Sequence, residues 1–449
     1  MGTAAASSSA ILKSFPERWS LEGSIVSTQL RRLAAEKKAQ AITAAQAAGK
    51  ELLPWYQSFF AAAEKGDWQS ISQMIEDLRR TARTGEVNRS QGRRVGPIEY
   101  SAAREVLGAF EQFVAGEEKY SVAFGQEVMG LVPRGSIYFG GTDPGRWVIT
   151  ALCESHVNAD PFFTLTQNAL ADTGYLHYLR SMYGTRIDIP TEEDSTNAFC
   201  DYMNDALRRR KENKLRPGEE IEEIDGKLNV GGQVAVMAIN GLLAKLIFDK
   251  NPDREFYIEE SFPLEWMYPH LAPHGLILKI NRQPLAELSE ESVRRDHQYW
   301  TRYLRPMIGD WLNDDTPVGD IAVFVEKVHL NHDLSEFQGD PRFVQNKEPQ
   351  KLFSKLRSSI GGLYSWRASN AESPAEKKRM LKAADFAFRQ AFALCPSSPE
   401  AAFRYSSFLA AAERFGDAVQ VVESASKVEP GHFQYPYLLE QLQKMSITT

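Results

Sequence analysis

The chain has 449 residues, of which 43% are hydrophobic and 25% are charged, a balance typical of globular material with about two to four domains. Its formal net charge is −7, which argues against a nucleic-acid or anionic-membrane partner because both require a basic face. The three cysteines, Cys153, Cys200 and Cys395, lie far apart and have no metal-ligand or redox spacing, so neither a metal site nor a disulfide framework is predicted.

Residues 1–24 are small and polar and are expected to form a flexible N-terminus. They lack the continuous apolar core of a signal peptide. The longest apolar stretch, 234–248, is interrupted by Asn240 and Lys245. The sequence therefore predicts no membrane insertion of this chain, and it leaves the compartment open.

Residues 25–130 are predicted to be helical. The Ala-rich stretch 25–50 favours one long exposed helix, and 54–80 is typical of a helical hairpin with a Gly-Asp break. An Arg-rich loop, 84–97, separates this hairpin from a further helix over 100–129. We expect this region to form a helical layer.

An α/β domain is predicted over 131–285. A strand at Ser136–Phe139 ends at a double glycine, and a turn then leads into a helix that starts near Trp147. Further strand-like and helical stretches alternate after it. Such alternation predicts a Rossmann-like α/β fold with a mainly parallel sheet. The remaining predicted elements are a helix over 164–184, a strand at 186–189, a helix from Thr191 to about Lys214, a hairpin over 221–230 that turns at Asp225-Gly226, a helix at 233–248, and strands at 255–259 and 275–280.

The C-terminal part, 286–370 and then 371–449, is predicted to be helical, and its last segment contains a repeat. Three positions recur at an interval of 34 residues, which resembles the tetratricopeptide pattern of paired helices that meet at small alanines. Such a tail predicts a surface for a protein partner. The recurring residues are Ala384, Ala391 and Pro396, followed by Ala418, Ala425 and Pro430.

A candidate ligand loop follows the first strand of the α/β domain. Its glycines would let backbone amides approach a small polar ligand, its polar side chains would add contacts, and its arginine would add positive charge. The loop is neither a Walker motif nor a dinucleotide fingerprint, and a plain structural connection is the alternative. The candidate residues are Gly140, Gly141, Thr142, Asp143 and Arg146.

Glu259 and Glu260 end a later predicted strand and are candidates for the same crevice, since paired acids can perform acid–base chemistry. Adjacent strand residues point to opposite faces, so only one of the two can face a given site. Both are alternatively surface carboxylates.

The sequence predicts neither a cofactor nor a metal. His156 with Asp160, His270 with His274, and the His329-to-Asp333 segment lack a complete ligand pattern. No nucleophile motif is present either, so the sequence leaves open whether the chain is an enzyme.

Two segments of the α/β region resemble a known family. PRGSIYFGGTDPGRWVITAL and REFYIEESFPLEWMYPHLAPHGLILKI are similar to the soluble module that follows the membrane helices in bacterial protein O-mannosyltransferase-like membrane proteins, a family of unknown function. The residues that fit its pattern are Asp143, Pro263, Leu271, Gly275 and Leu276. The resemblance implies a sugar-related ligand, although this chain lacks the membrane helices on which transfer would depend.

These observations favour a binding protein that engages a protein partner through its helical tail, with an α/β domain of unknown ligand. The alternative is an enzyme or a carbohydrate-binding module, related to glycosyl transfer, that uses the 140–146 loop.

Overall fold

The chain divides into two units, Met1–Arg254 and Glu255–Thr449. This boundary lies inside the segment 131–285, which the sequence predicts as one α/β domain. The predicted flexible N-terminus, 1–24, and the predicted turn at Asp225-Gly226 lie outside the described residues. The computed structural model describes residues 25–84, 96–115, 118–141, 144–224, 227–260 and 262–448.

The part of the chain that the structure describes is predominantly helical and has only short strands. The prediction of a Rossmann-like α/β fold with a mainly parallel sheet is therefore wrong. One reason is visible at 186–189, a predicted strand that forms turn and coil. The Asn251 side chain accepts from the backbone N–H of Asp188 and donates to its carbonyl, at 2.8 and 3.0 Å, so a side chain replaces the sheet partner.

The first unit begins with helices and continues with short strands between helices. Its helices are α1 (Ile25–Ala47), α2 (Pro54–Lys65), α3 (Trp68–Thr84), α4 (Pro97–Ala115), α5 (Glu118–Leu131), α6 (Ile149–Leu152), α7 (Thr173–Tyr183), α8 (Glu192–Lys211) and α9 (Gly232–Lys250). Its strands are β1 (Ile137–Gly140), β2 (Phe163–Leu165), β3 (Glu220–Ile224) and β4 (Lys227–Gly231). A π-helical turn, Pro144–Val148, precedes α6, and a 3-10 turn, Gln167–Ala169, follows β2.

Several local predictions in this unit are confirmed. Gly66 ends α2 in the left-handed conformation with φ 73°, as the helical hairpin requires. Thr191 caps α8 in a capping box with Asp194. The hairpin is also present, since β3 and β4 pair antiparallel with Ile224 opposite Lys227. By contrast, α1 is not simply an exposed helix, because one of its faces is buried.

The centre of the first unit is a parallel pair of strands. β1 and β2 align Ile137 with Phe163 and Phe139 with Leu165, and every residue of both strands is buried. β2 was not predicted, because three residues are too few to show a periodicity. The helix predicted over 164–184 is correct only from Thr173. Parallel strands bring their carboxyl ends to the same edge, so the segments after Gly140 and after Leu165 lie on one side.

Among the described residues, one helix, α9, is long and apolar enough to cross a membrane by length and composition, and 39% of its apolar window is buried. Its Asn240 is fully buried and accepts a hydrogen bond from the backbone N–H of Ala171 at 2.7 Å. One face of α9 therefore packs within the first unit. A buried core helix can meet the same criterion of length and composition.

The second unit contains a small antiparallel sheet and a series of helices. Its strands are β5 (Phe256–Glu259), β6 (Leu271–His274) and β7 (Ile277–Ile280), and β7 pairs with both of the others. A 3-10 helix, Glu265–His270, precedes β6, and a π-helical segment, Val325–Leu330, follows α11. The helices are α10 (Glu290–Ile308), α11 (Val318–Phe324), α12 (Pro341–Gln345), α13 (Lys347–Ser369), α14 (Pro374–Leu394), α15 (Pro399–Ala411), α16 (Phe415–Val428) and α17 (Tyr435–Thr448).

From α13 to α17 each helix contacts the next in the chain, which is the arrangement of a helical array. The small residues of the predicted repeat lie at these contacts: Ala391 and Ala425 are both fully buried. α13 also contains a Gly pair at its centre. A Cβ on Gly361 would lie 2.9 Å from the Phe388 ring, so α14 approaches α13 too closely for a larger residue.

Candidate functional site

The predicted ligand loop 140–146 is a tight connection in the first unit. A Cβ on Gly140 would lie 2.8 Å from the carbonyl oxygen of Gly145, so glycine is needed where the two ends of the loop meet. The Tyr138 hydroxyl donates to the same carbonyl at 3.1 Å. Thr142 and Asp143 lie outside the described residues.

Arg146, the charged member of this loop, is buried and paired. Its Nη2 donates to Glu105 Oε1 at 2.6 Å, and its guanidinium lies 3.9 Å from the Trp147 ring centroid and 5.1 Å from that of Tyr175. Burial opposes the charged form of both partners, but their mutual attraction prevails. The pKa of Glu105 is consequently held below its ordinary value, and the pKa of Arg146 is raised.

A second buried cation, Lys37 of α1, lies near this pair. Its ammonium donates to Tyr178 Oη at 2.7 Å and Gln40 Oε1 at 3.3 Å, and it lies 2.7 Å from His156 Nδ1. It also contacts Met182 Sδ at 3.6 Å, so the ammonium has four potential acceptors. Burial lowers the pKa of Lys37 to about 8, and burial together with Lys37 lowers the pKa of His156 to about 3. His156 is therefore a neutral acceptor at pH 7.

The same region contains buried polar atoms without a hydrogen-bond partner among the described residues. They include Glu105 Oε2, Thr150 Oγ1 and both amide atoms of Gln167. Gln167 follows β2 as Arg146 follows β1, which places both at the carboxyl edge of the parallel pair. Buried polar atoms are usually satisfied, so this edge has the capacity to bind a small polar group or water.

Sequence reasoning included Arg146 but missed Lys37, Glu105 and Gln167. Lys37 lies in a helix with many charged residues, and nothing in its spacing distinguishes the one lysine that points inwards. Glu105 occupies an otherwise apolar part of α4, where Ala102, Ala103 and the residues after it are buried. An acidic residue on an apolar helix face could have identified Glu105 as a buried, paired carboxylate.

Glu259 and Glu260 belong to the second unit, whereas the 140–146 loop belongs to the first. Glu259 accepts from Lys355 Nζ at 2.6 Å, and its side chain is fully buried. The backbone carbonyl of Glu260 accepts from Ser359 Oγ at 2.5 Å. Burial works against the charge of Lys355, but Glu259 and then Glu260 outweigh it and raise the pKa of Lys355. Both glutamates thus lie near one buried lysine.

The segment that follows these glutamates borders a groove in the second unit. The groove has a volume of about 850 Å³ and lies between α13, α14 and α15, with Phe262 and Tyr268 on its rim. Its lining is mostly aromatic and aliphatic, and Lys377, Glu400 and Arg404 are the charged residues that line it. This volume falls within the usual range for ligand sites.

The rim of the groove presents an exposed aromatic ring. Phe262 is 60% exposed, and the Arg404 guanidinium lies 4.0 Å from its ring centroid. Arg404 also donates to the carbonyl of Ser358 at 3.1 Å and lies 3.3 Å from Glu400. A Cβ on Gly362 would lie 2.9 Å from Arg404 Nη1, so this glycine makes room for the arginine. We refer to this cavity as the α13–α15 groove.

Within the described ranges no group of three or more His, Cys, Asp or Glu side chains is arranged to hold a metal ion. Comparisons with known proteins supply no family: no family model, no curated protein and no solved structure matches the chain. The resemblance to protein O-mannosyltransferase-like proteins consequently rests on the quoted segments alone.

Proposed function

We propose that the chain is a binding protein whose second unit binds a segment of a partner protein in the α13–α15 groove. One observation supports this proposal above the others: an open, mainly apolar groove, rimmed by the exposed Phe262, lies on a series of consecutively packed helices. Tetratricopeptide-like arrays use such concave helical surfaces to bind peptides, and the 34-residue repeat of alanines and proline fits that class.

The exposed apolar residues and the charges of the groove indicate what kind of partner segment it would bind. Leu381 is 37% exposed and Phe262 is 60% exposed, so the occupant offers apolar anchors for them. Glu400 is close to Arg404, which leaves the ammonium of Lys377 as the charge to be matched. We infer an amphipathic segment with Leu or Phe anchors one helical turn apart and a nearby carboxylate.

The experiment is a selection of random 12-residue peptides, displayed on phage, against the full chain, followed by anisotropy measurements with the enriched peptides. Enriched sequences should share two apolar anchors and an acidic residue. Leu381→Lys places a charge on the apolar wall and should weaken their binding by about tenfold or more, equivalent to about 1.4 kcal/mol.

Val323→Lys is the matched control, because Val323 is an aliphatic residue on α11, is 65% exposed and lies outside the groove. It should leave the affinity unchanged. The proposal fails if no peptide family is enriched, or if both lysine variants bind the peptides as the parent chain does.

A second candidate function is the binding of a small polar or sugar-like ligand at the 140–146 loop. It is favoured by the unpartnered Glu105 Oε2 and Gln167 amide at the carboxyl edge of β1 and β2, and by the family resemblance. A ligand present at one hundred times its dissociation constant stabilises a protein by about 2.7 kcal/mol, so a thermal screen of sugars and sugar phosphates can detect it.

For a ligand found in this screen, Asp143→Ala should abolish the stabilisation and change the unliganded chain by no more than about 0.5 kcal/mol. Asp201→Ala, which removes an exposed carboxylate from α8, is the control and should keep the full stabilisation. Unfolding of the Asp143 variant without any ligand effect would identify Asp143 as a structural residue of its turn.

A further inference from the structure

We propose that the second unit has another site, a cationic cleft between α10 and α14, that binds a small anion of the phosphate-ester or polyphosphate class. The cleft has a volume of about 620 Å³ and is separate from the α13–α15 groove. It shares no lining residue with that groove. The proposal is therefore independent of the proposed peptide binding.

The positions of the cations along the two helices explain the cleft. Arg294, Arg302 and Arg305 of α10 recur at intervals compatible with one broad helix face. Arg379 and Lys382 of α14 approach from the opposite wall. Two neighbouring helices thus direct five cationic side chains into one cavity.

Four of these five cations are paired with a carboxylate. Arg294 pairs with Glu291 at 2.5 Å, Arg305 with Asp310 at 3.3 Å, Arg379 with Glu287 at 3.2 Å and Lys382 with Asp314 at 3.4 Å. In the described part of the chain, Arg302 has no carboxylate within ion-pair distance. Its uncompensated charge in a concave site attracts an anion.

Some of the cations are held in place by contacts at the edge of the cleft. Arg305 lies 3.3 Å from Asp310, and Arg379 donates to the carbonyl of Leu288 at 2.9 Å and to Glu287 Oε2 at 3.2 Å. A guanidinium held by such contacts keeps its remaining N–H groups for another acceptor, and its planar fork matches a phosphate.

His297, which lines the cleft, has a ring nitrogen without a hydrogen-bond partner among the described residues. His297 Nε2 is buried and makes no hydrogen bond to any described residue. Its ring lies edge-on to Phe386, with centroids 5.1 Å apart. Burial, and next the charge of Arg357, lower the pKa of His297 to about 4, so the ring is neutral at pH 7. A neutral imidazole with its N–H on Nε2 would offer a single donor to a phosphate oxygen.

The wall behind His297 is rigid. Arg357 Nη1 donates to Asp296 Oδ2 at 2.7 Å, and the Tyr364 hydroxyl donates to the same oxygen at 2.8 Å. Both Arg357 and Asp296 are buried, which fixes α10 against α13. The cleft is therefore formed before a ligand enters, which reduces the cost of binding.

The test is isothermal titration of the full chain with sodium tripolyphosphate at 50 mM KCl, with inorganic phosphate and the neutral sugar glucose as comparison probes. Tripolyphosphate should bind, inorganic phosphate should bind more weakly, and glucose should not bind. Raising KCl to 300 mM should weaken tripolyphosphate binding, because salt screens partly exposed charges.

Arg302→Ala combined with Arg305→Ala should weaken tripolyphosphate binding by at least about tenfold. Arg295→Ala is the matched control on the same helix: its side chain is 70% exposed and it does not line the cleft. His297→Gln, which keeps a donor of similar length, should retain binding if it folds with an unchanged circular dichroism spectrum.

Absence of tripolyphosphate binding at millimolar concentration would overturn the proposal. An equal loss in Arg295→Ala and in the double variant would also overturn it, because it would show diffuse attraction to the surface of α10. The Leu381 variant tests only peptide binding in the α13–α15 groove, because Leu381 does not line the cleft. The peptide proposal and the anion proposal can therefore fail independently.

Discussion

Lys37 places a positive charge inside the first unit. Its polar contacts with His156, Tyr178, Gln40 and Met182 satisfy the ammonium, and the nearby Glu105 and Glu36 oppose the loss of its charge. Burial nevertheless lowers its pKa from 10.5 to about 8. The shift corresponds to roughly 3 kcal/mol of unfavourable free energy for the charged form. The contacts are thus the means by which the fold tolerates this charge.

The shifted pKa values predict how stability depends on pH. Between pH 8 and 10.5 the unfolded chain binds more protons at Lys37 than the folded chain, so the free energy of unfolding rises with pH. At His156 the folded pKa of about 3 lies below the ordinary 6.5, so stability falls as pH decreases from 6.5 towards 3.

Lys37→Met should remove the alkaline rise, and it should also reduce the acid loss because Lys37 contributes to the low pKa of His156. Urea unfolding at a series of pH values measures both. Lys38→Met is the control, since Lys38 is a partly exposed neighbour paired with Glu64 at 2.6 Å, and it should retain the wild-type profile. Equal slopes between pH 8 and 10 in Lys37→Met and wild type would refute this assignment.

At the residue scale the sequence indicates which residues have the right chemistry, but not which neighbours they meet. Arg146 and Glu259 were both candidates, yet each lies in a buried ion pair whose partner, Glu105 or Lys355, is distant in sequence. The spacing of a sequence does not reveal a pair 41 or 96 residues apart. Tertiary contacts determined these partners.

At the scale of single elements, signals that depend on adjacent residues were the most informative. The Thr191 capping box and the hairpin over 221–230 are confirmed because each depends on a few neighbouring residues. The strand predicted at 186–189 is wrong because the Asn251 side chain bonds its backbone. β2 was missed because its three residues show no periodicity and its partner β1 lies more than twenty residues earlier.

The two adjacent glycines of α13 should respond differently to alanine. Each glycine costs about 1 kcal/mol relative to alanine in a helix interior. At Gly361 a Cβ would meet the buried Phe388 ring at 2.9 Å, and at Gly362 it would meet Nη1 at the far end of the long Arg404 side chain at 2.9 Å. Overpacking a core typically costs about 1–3 kcal/mol. Gly361→Ala should therefore be destabilised relative to Gly362→Ala.

Chemical denaturation of the two variants measures this difference. Both variants gain the same helix propensity, so each serves as a control for the other. We expect Gly362→Ala to match or exceed wild type, and Gly361→Ala to lie at least about 1 kcal/mol below it in free energy of unfolding. Equal stabilities would show that α13 and α14 are not as closely packed as the structure indicates.

At the scale of the whole molecule, composition and repeat spacing predicted the helical parts, and the sheet was overestimated. Short apolar runs such as 186–189 resemble strands in isolation, whereas sheet membership depends on partners elsewhere in the chain. The division of the chain at Arg254 has no composition signal such as a Gly- or Pro-rich linker. The division is determined by tertiary contacts between helices, and these contacts cannot be read from sequence spacing.

The α13–α15 groove depends both on helices that are predictable from sequence and on their tertiary packing. Its walls are helices that the sequence predicts, and its charged residues, Lys377, Glu400 and Arg404, line it only once α13, α14 and α15 are assembled. Phe262 reaches its rim because it follows β5. This groove is the proposed binding site for a partner segment.

Hydrogen–deuterium exchange of the full chain, with and without an enriched leucine-anchored peptide, shows whether the peptide occupies the α13–α15 groove. We expect slower exchange in the second half of α13, in the Lys377–Phe388 part of α14 and in α15, which together line the groove. The α10 segment and the first unit should exchange as in the free chain. Protection confined to the first unit or to α10, with α13 to α15 unchanged, would contradict the proposed binding site.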